Sequence, residues 1–235
     1  MKVDNHINSK NANWSFGGDV PKNFVPHIRK SVPGYERGHE ITCQISEFFC
    51  LKNSVCYDLG TSTGELIKKL AQQNASTENI KWVGIDCVPE MIKVAKDHCK
   101  DTKNIEILED DIGTFDYEPA DFITSYYVMQ FVPPRRRQEI FAKIYNSLNW
   151  GGAFVMFEKV RAPDARFQDI ATQIYTEFKL ENQFEPNEIV NKSKSLKSIL
   201  EPFSTEGNLT LLRNAGFNDI MTVFKDVCFE GFLAI

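Results

Sequence analysis

The sequence predicts an α/β fold, a seven-stranded and mostly parallel sheet with an antiparallel terminal strand. Three observations predict it. From residue 54 to residue 159, short apolar runs alternate with stretches of helical periodicity, the order expected of β/α units whose strands run parallel. The first run, Ser54-Val55-Cys56-Tyr57-Asp58-Leu59, passes straight into Gly60-Thr61-Ser62-Thr63-Gly64, a glycine turn at the mouth of a helix. Successive runs end in carboxylates, at Asp58, Asp86 and Asp111, which sets acidic groups along one edge of the sheet.

In chain order, the first thirty or so residues show no clear periodicity. Trp14, Phe16, Phe24 and Val25 are nevertheless too apolar for a free tail, so residues 1–36 read as an N-terminal cap folded over the rest. Pro33-Gly34 marks a turn, and Ile41, Ile45, Phe48 and Phe49 recur at helical spacing ahead of the first strand. Strands at 54–59, 81–86, 104–109, 121–126 and 152–159 then alternate with helices at about 64–74, 89–99 and 134–148. Asn149-Trp150-Gly151-Gly152 is a glycine-rich turn, and Ala153-Phe154-Val155-Met156-Phe157 is apolar on both faces, as a central strand requires. Residues 160–206 lack strand signals. Phe167, Ile170, Ile174 and Phe178 fall at helical spacing and a second helix runs from Glu188 into Leu200, so this stretch reads as a helical lid inserted into the domain. Ala215-Gly216-Phe217 stops a helix, and runs 219–225 and 227–235 form a terminal hairpin. No repeat interrupts this order, and residues 1–235 read as a single domain.

Composition narrows the function classes. With 235 residues and 42% hydrophobic content the chain can bury one substantial core. A net charge of −5 supplies no broad basic field for a nucleic-acid backbone, which disfavours a direct polynucleotide partner. Six cysteines occur without C-x-x-C or Cys/His ligand spacing, so neither disulfides nor a metal site is expected and the chain reads as cytoplasmic and reduced. No apolar run is long enough to span a bilayer, and Met1 to Asn13 lacks a signal-peptide core.

The edge carboxylates and the glycine turn point to a nucleoside ligand. Gly60 is suited to positive φ and Gly64 to close helix packing, so turn amides face one crevice. The spacing is D-x-G-x-x-x-G, not the dinucleotide G-x-G-x-x-G, and Asp58 would repel a pyrophosphate while orienting the turn or meeting an amino group. This favours S-adenosylmethionine over NAD. Asp86, 26 residues beyond Gly60, stands where a carboxylate accepts from ribose hydroxyls; Asp111 would meet the adenine amino group, with Ile112 against the ring.

These pieces resemble the class I S-adenosylmethionine-dependent methyltransferases, with their Rossmann-like sheet, and most closely the carboxy-S-adenosylmethionine synthases. The resemblance spans nearly the whole chain, in Trp14-Ser15-Phe16, Ser31-Val32-Pro33-Gly34-Tyr35, Tyr57-Asp58-Leu59-Gly60, Gln130-Phe131, Glu158-Lys159, Phe178-Lys179 and Ala215-Gly216-Phe217. It implies cofactor contacts at Tyr35, Gly60, Thr61, Ser62, Asp86, Cys87, Asp111 and Ile112, and a possible homodimer. Two positions depart. A cofactor-contacting asparagine of the family stands here as Tyr126, and the arginine that grips the carboxylate of carboxy-S-adenosylmethionine stands as Leu211, which cannot pair with an anion. Arg213 is turned about 200° away on the same helix; Lys159, Arg161 and Arg166 are better placed to replace the charge.

A sulfonium cofactor needs water excluded, a nucleophile aligned and the cation faced by aromatic rings and oxygens, which Trp14, Tyr35, Tyr126 and Tyr127 can supply. The leading expectation is methyl transfer to a small molecule under the lid, with Glu158 or Tyr175 orienting or deprotonating the acceptor and Tyr126 beside the sulfonium. Three alternatives stand beside it. One is carboxy-S-adenosylmethionine synthesis from prephenate, another is cyclisation of the cofactor itself to azetidine-2-carboxylate and methylthioadenosine, and the last is a non-catalytic cofactor-binding module.

Overall fold

The computed structural model describes residues 1–4, 7–18 and 20–235. A small hairpin, β1 (Lys2–Asp4) and β2 (Ile7–Asn8), opens the chain and leads to helix α1 (Val20–Ser31). The aperiodic reading of this region missed α1, and the reason is visible in its composition. Pro21 sits in the first turn, where its missing N–H costs nothing, but Pro26 lies inside the helix and removes a hydrogen bond there.

From α2 (Tyr35–Ser46) onward the chain follows the predicted alternation: β3 (Val55–Leu59), α3 (Glu65–Gln73), β4 (Lys81–Asp86), α4 (Pro89–Cys99), β5 (Ile105–Glu109), β6 (Ala120–Tyr126), α5 (Pro134–Ser147) and β7 (Leu148–Lys159). The lid follows as α6 (Ala165–Glu181) and α7 (Pro186–Ser195), then α8 (Thr205–Ala215), β8 (Ile220–Asp226) and β9 (Phe229–Ala234). β7 begins four residues earlier than predicted, because the Asn149–Gly152 turn pairs irregularly with the start of β6.

The sheet order is β5-β4-β3-β6-β7-β9-β8, with β9 antiparallel to both its neighbours. The terminal hairpin folds inward: β9 is inserted beside β7 and β8 forms the edge. Side chains alternate across the sheet and feed two cores. Cys56, Trp82, Phe122, Val155 and Phe157 face one, under α2, α3 and α4. Tyr57, Val83, Ile123, Phe154 and Met156 face the other, under α5 and α8. Burial of both faces explains why the strands read as continuous apolar runs.

The chain winds outward from β3 to β5 and then returns to place β6 on the other side of β3. This reversal opens a crevice at the carboxyl ends of β3 and β6, where ligands of such sheets bind. Cap and lid cover it together. Ala12 N–H donates to Lys194 O, Trp14 N–H to Ser195 O, and Asn191 Nδ2 to Lys2 O. Val3, Ile7, Trp14, Val20 and Met91 form a third apolar cluster against Leu196 and Ile199. The lid is closed at its base, where Arg161 N–H donates to Phe203 O at 2.9 Å. Each lid helix has its own start signal: Asp164 accepts from Phe167 N–H, and Glu185 and Glu188 form a capping box.

Helix α6 departs from expectation in its orientation. Its predicted apolar stripe is turned outward, with Phe167 47%, Ile170 50% and Ile174 43% exposed. The face carrying Gln168, Ala171, Thr172, Tyr175 and Lys179 looks into the crevice instead.

Candidate active site

The glycine turn forms as its residue types require. Gly60 has φ +66°, and a Cβ there would lie 2.5 Å from Val128 Cγ2, so both conformation and space demand glycine. Gly64, at φ +81°, precedes α3. Between them Thr61 N–H donates to Ile85 O at 3.0 Å, and Ser62, itself at φ +53°, donates its N–H to Asp86 Oδ2 at 2.9 Å.

Asp58 is buried beneath the turn, accepting from Thr61 Oγ1 at 2.8 Å and Thr124 Oγ1 at 2.9 Å. Burial pushes its carboxyl up to about 6, against the pull of those hydroxyls. It braces β3, the turn and β6. Asp86 accepts from Val88 N–H at 2.9 Å as well as from Ser62, and it lines the crevice beside the exposed Cys87. Burial raises its carboxyl, with the backbone donors opposing. Asp111 sits one strand further along, held bidentately by Arg136 at 3.0 and 2.9 Å and by Gly113 N–H at 2.8 Å. The Arg136 bonds keep Asp111 below the usual carboxylate range. Ile112 lies beside it, buried.

Turn amides, two edge carboxylates at successive strand ends and the Ile112 side chain therefore meet along one wall, a donor and acceptor set that suits an adenosine. Thr63 Oγ1, buried in the same wall, has no hydrogen-bond partner among the described residues. The sequence reading brought Tyr35, Asp58, Gly60, Thr61, Ser62, Asp86, Cys87, Asp111, Ile112 and Tyr126 together, and all ten line one cleft.

The three residues proposed for chemistry are placed differently. Glu158 is buried and does not line the cleft; its Oε1 accepts from Met129 N–H at 2.9 Å. Burial pushes it up to about 8, opposed by Arg137 and by backbone N–H groups of residues 128–130. Tyr126 and Tyr175 do line the cleft, but their hydroxyls are engaged, donating to Tyr35 O at 2.6 Å and to Ser31 O at 2.8 Å. These bonds tie β6 to α2 and the lid to the cap. Tyr127, beside them at φ +62°, has a buried hydroxyl with no partner among the described residues.

Leu211 does not line the cleft either. It is buried in the core between α5 and α8, where its carbonyl accepts from Gln138 Nε2 at 3.2 Å. Arg213 is on the surface, paired with Glu206, and Arg166 stacks over Phe167 away from the cleft. Arg161 reaches the rim but is committed to Glu201 and Pro202 O.

Lys159, Lys179 and Lys192 also line the cleft, and of these only Lys159 was singled out from sequence. Lys159 from β7 and Lys179 from α6 flank the Tyr175 ring, with Nζ 4.1 and 4.2 Å from its centroid. Lys192 from α7 lies over the Trp14 ring. None of the three is paired with a carboxylate among the described residues. Burial lowers all three ammonium groups, Lys179 to about 8 with Lys159 adding to the effect. A weak signal for Lys179 existed in its i+4 spacing from Tyr175 on α6; Lys192 carries none. The cleft spans about 1180 Å³.

The methyltransferase domain family matches residues 56–152. Over 223 residues the chain is 37% identical to a carboxy-S-adenosyl-L-methionine synthase of Staphylococcus epidermidis, covering 94% of this chain and 96% of that one. A protein of the same name from Campylobacter lari is 31% identical, with 94% of each chain covered. Among solved structures, human N-acetylserotonin methyltransferase in complex with SAM aligns with a TM-score of 0.61 at 18% identity, over 92% of this chain and 55% of that one. A SAM-dependent methyltransferase from Aquifex aeolicus aligns at 0.59 and 15% identity, over 91% and 97%. The two solved structures share the fold; the two curated relatives share the sequence from cap to terminal hairpin. The chain belongs to the carboxy-S-adenosyl-L-methionine synthase family, a branch of the class I S-adenosylmethionine-dependent methyltransferases.

Proposed function

We propose that the protein transfers the methyl group of S-adenosylmethionine to a small anionic acceptor held beneath the lid. Asp86 takes the ribose hydroxyls, Asp111 and Ile112 the adenine, and the amides after Gly60 the methionine end. When bound, the cofactor supplies a carbon already activated by its sulfonium, so the protein needs chiefly to exclude water and align the acceptor. The unpaired lysines carry the reading. Half-buried ammonium groups without counter-ions are disfavoured, and an acceptor carboxylate would relieve that cost at Lys159, Lys179 and Lys192. The volume supports it too: about 1180 Å³ exceeds the roughly 300–1,000 Å³ common for single-ligand sites, leaving room for two small molecules.

The curated relatives favour a second reading, carboxy-S-adenosylmethionine synthesis, in which the same lysines would face the carboxylates of the second substrate. The placement of Leu211 removes one objection to it. That side chain is core packing, so the loss of arginine there takes no charge from the cleft within one chain. Cyclisation of the cofactor alone would leave the lysines and the extra volume unused.

Mass spectrometry of purified protein separates these outcomes. S-adenosylhomocysteine formed only when carboxylic acids from a cell extract are added supports methyl transfer. A product 44 mass units above the cofactor, formed only with prephenate, replaces it with the synthase reading. Methylthioadenosine formed from the cofactor alone would sink both.

A further inference from the structure

A histidine in the cleft belongs to none of the roles assigned so far. His27, on α1, is 4% exposed and lines the cleft from the cap side. Its Nδ1 lies 2.5 Å from Asp4 Oδ2, a contact that joins the first strand to the first helix. The ring is fixed by its neighbours, stacked on Trp14 at 6.2 Å and edge-on to Phe184 at 5.6 Å. With Nδ1 donating to the carboxylate, Nε2 is left as the acceptor nitrogen, and it is not among the buried side-chain atoms that lack a partner. No other side chain bonds it among the described residues, and the residue lines the cleft. A base oriented through its second nitrogen by a carboxylate is a recurring arrangement in general-base catalysis.

We propose that His27, oriented by Asp4, is the general base that deprotonates the acceptor, which makes the acceptor a hydroxylated aromatic carboxylic acid. This rests on the methyl-transfer reading above. The lysines take the carboxylate; Trp14, Phe24 and Phe184 supply apolar walls for a ring; His27 takes the proton of a hydroxyl. The step balances. The hydroxyl proton passes to Nε2, the oxygen's electron pair forms the new bond to the methyl carbon, and the carbon–sulfur pair stays on sulfur. His27 then returns its proton to solvent. The charges facing it are Asp4, Lys192 and Glu188; burial is the largest influence and lowers the imidazole, Asp4 opposes, and Lys192 adds to the lowering. The ring is thus neutral and able to accept at neutral pH.

The test uses the full chain saturated with S-adenosylhomocysteine, with salicylate, 4-hydroxybenzoate and 3,4-dihydroxybenzoate as probes. In ¹⁵N spectra, Nε2 of His27 is expected to resonate as an unprotonated nitrogen and to shift when a hydroxylated probe binds, but not with benzoate. In turnover with S-adenosylmethionine, His27→Gln and Asp4→Asn are expected to slow methylation of the responsive probe by about 10²–10⁴-fold. Affinity for S-adenosylhomocysteine should stay unchanged in both variants, which also shows that they fold. An Nε2 signal that none of the three probes moves, or turnover in His27→Gln equal to that of the unaltered protein, overturns the proposal. Failure of the unaltered protein to bind S-adenosylhomocysteine at all would overturn the cofactor reading instead.

Discussion

Glu158 illustrates how far a residue's position along a strand can mislead about its use. At the carboxyl end of β7 it was placed to orient or deprotonate the acceptor, because strand-end carboxylates face the crevice in this class of sheet. Its carboxylate is instead turned down onto the segment after β6, satisfying Met129 N–H at 2.9 Å inside the protein. Removing it leaves a buried donor without a partner, which costs about 1–3 kcal/mol. We expect Glu158→Ala to lower the melting temperature by about 2–4 °C per kcal/mol lost, while affinity for S-adenosylhomocysteine stays within about twofold. Thermal unfolding and calorimetry check both halves; unchanged stability with lost turnover would restore the catalytic role. The cleft wall was more legible residue by residue. Asp86 and Asp111 were readable because a β/α register fixes where a strand end must lie, and both side chains have only one crevice to face.

At the scale of elements, the glycine turn was readable because its local chemistry has one solution. Alanine at position 60 would meet Val128 and hold a left-handed conformation that costs roughly 1–2 kcal/mol for a residue with a Cβ. Gly60→Ala is expected to destabilise the protein by at least that amount and to weaken S-adenosylhomocysteine binding more than tenfold. Adding Val128→Ala should recover part of the stability, since it relieves the clash but not the backbone strain. If the single variant melts and binds as the unaltered protein does, the turn is not under the constraint described. Two helices show the limits of such reading. α1 was hidden by prolines at 21 and 26, and α6 was found by a stripe that the fold leaves exposed. Periodicity reports that a helix forms; which face is buried depends on what packs against it.

At the scale of the whole molecule, the cleft is assembled from pieces distant in sequence. Lys159 comes from the sheet, Lys179 and Lys192 from the lid, and Trp14 and His27 from the cap. Tyr175 donating to Ser31 O joins lid and cap over the sheet edge. The charge cluster gives this arrangement a pH dependence whose sign follows from Lys179. Burial and Lys159 lower its folded-state value from 10.5 to about 8, so the folded protein disfavours the charged form. That penalty is present in full below about pH 8 and fades between about 8 and 10.5. Lys179→Met should therefore raise the melting temperature at pH 7, with the gain shrinking as pH approaches 10.5. Binding of an anionic acceptor needs the proton, so its affinity should fall by up to about tenfold per pH unit above 8 in the unaltered protein and lose this component in the variant. Titration calorimetry with the responsive acid across pH 7 to 10 would show it; a flat profile would remove Lys179 from the acceptor site.

The sequence by itself determined the mostly parallel α/β class, the glycine turn and the carboxylates at the strand ends, because those follow from short-range rules: alternation of periods, glycine conformation, and the acidic residue that closes an apolar run. Only the tertiary structure decided that Leu211 packs in the core, that Tyr126 and Tyr175 have their hydroxyls occupied, that Asp4 meets His27, and that His27 and three lysines share one cleft. Those outcomes depend on the direction of single side chains and on contacts between segments 23 to 144 residues apart. Neither leaves a periodic trace in the chain.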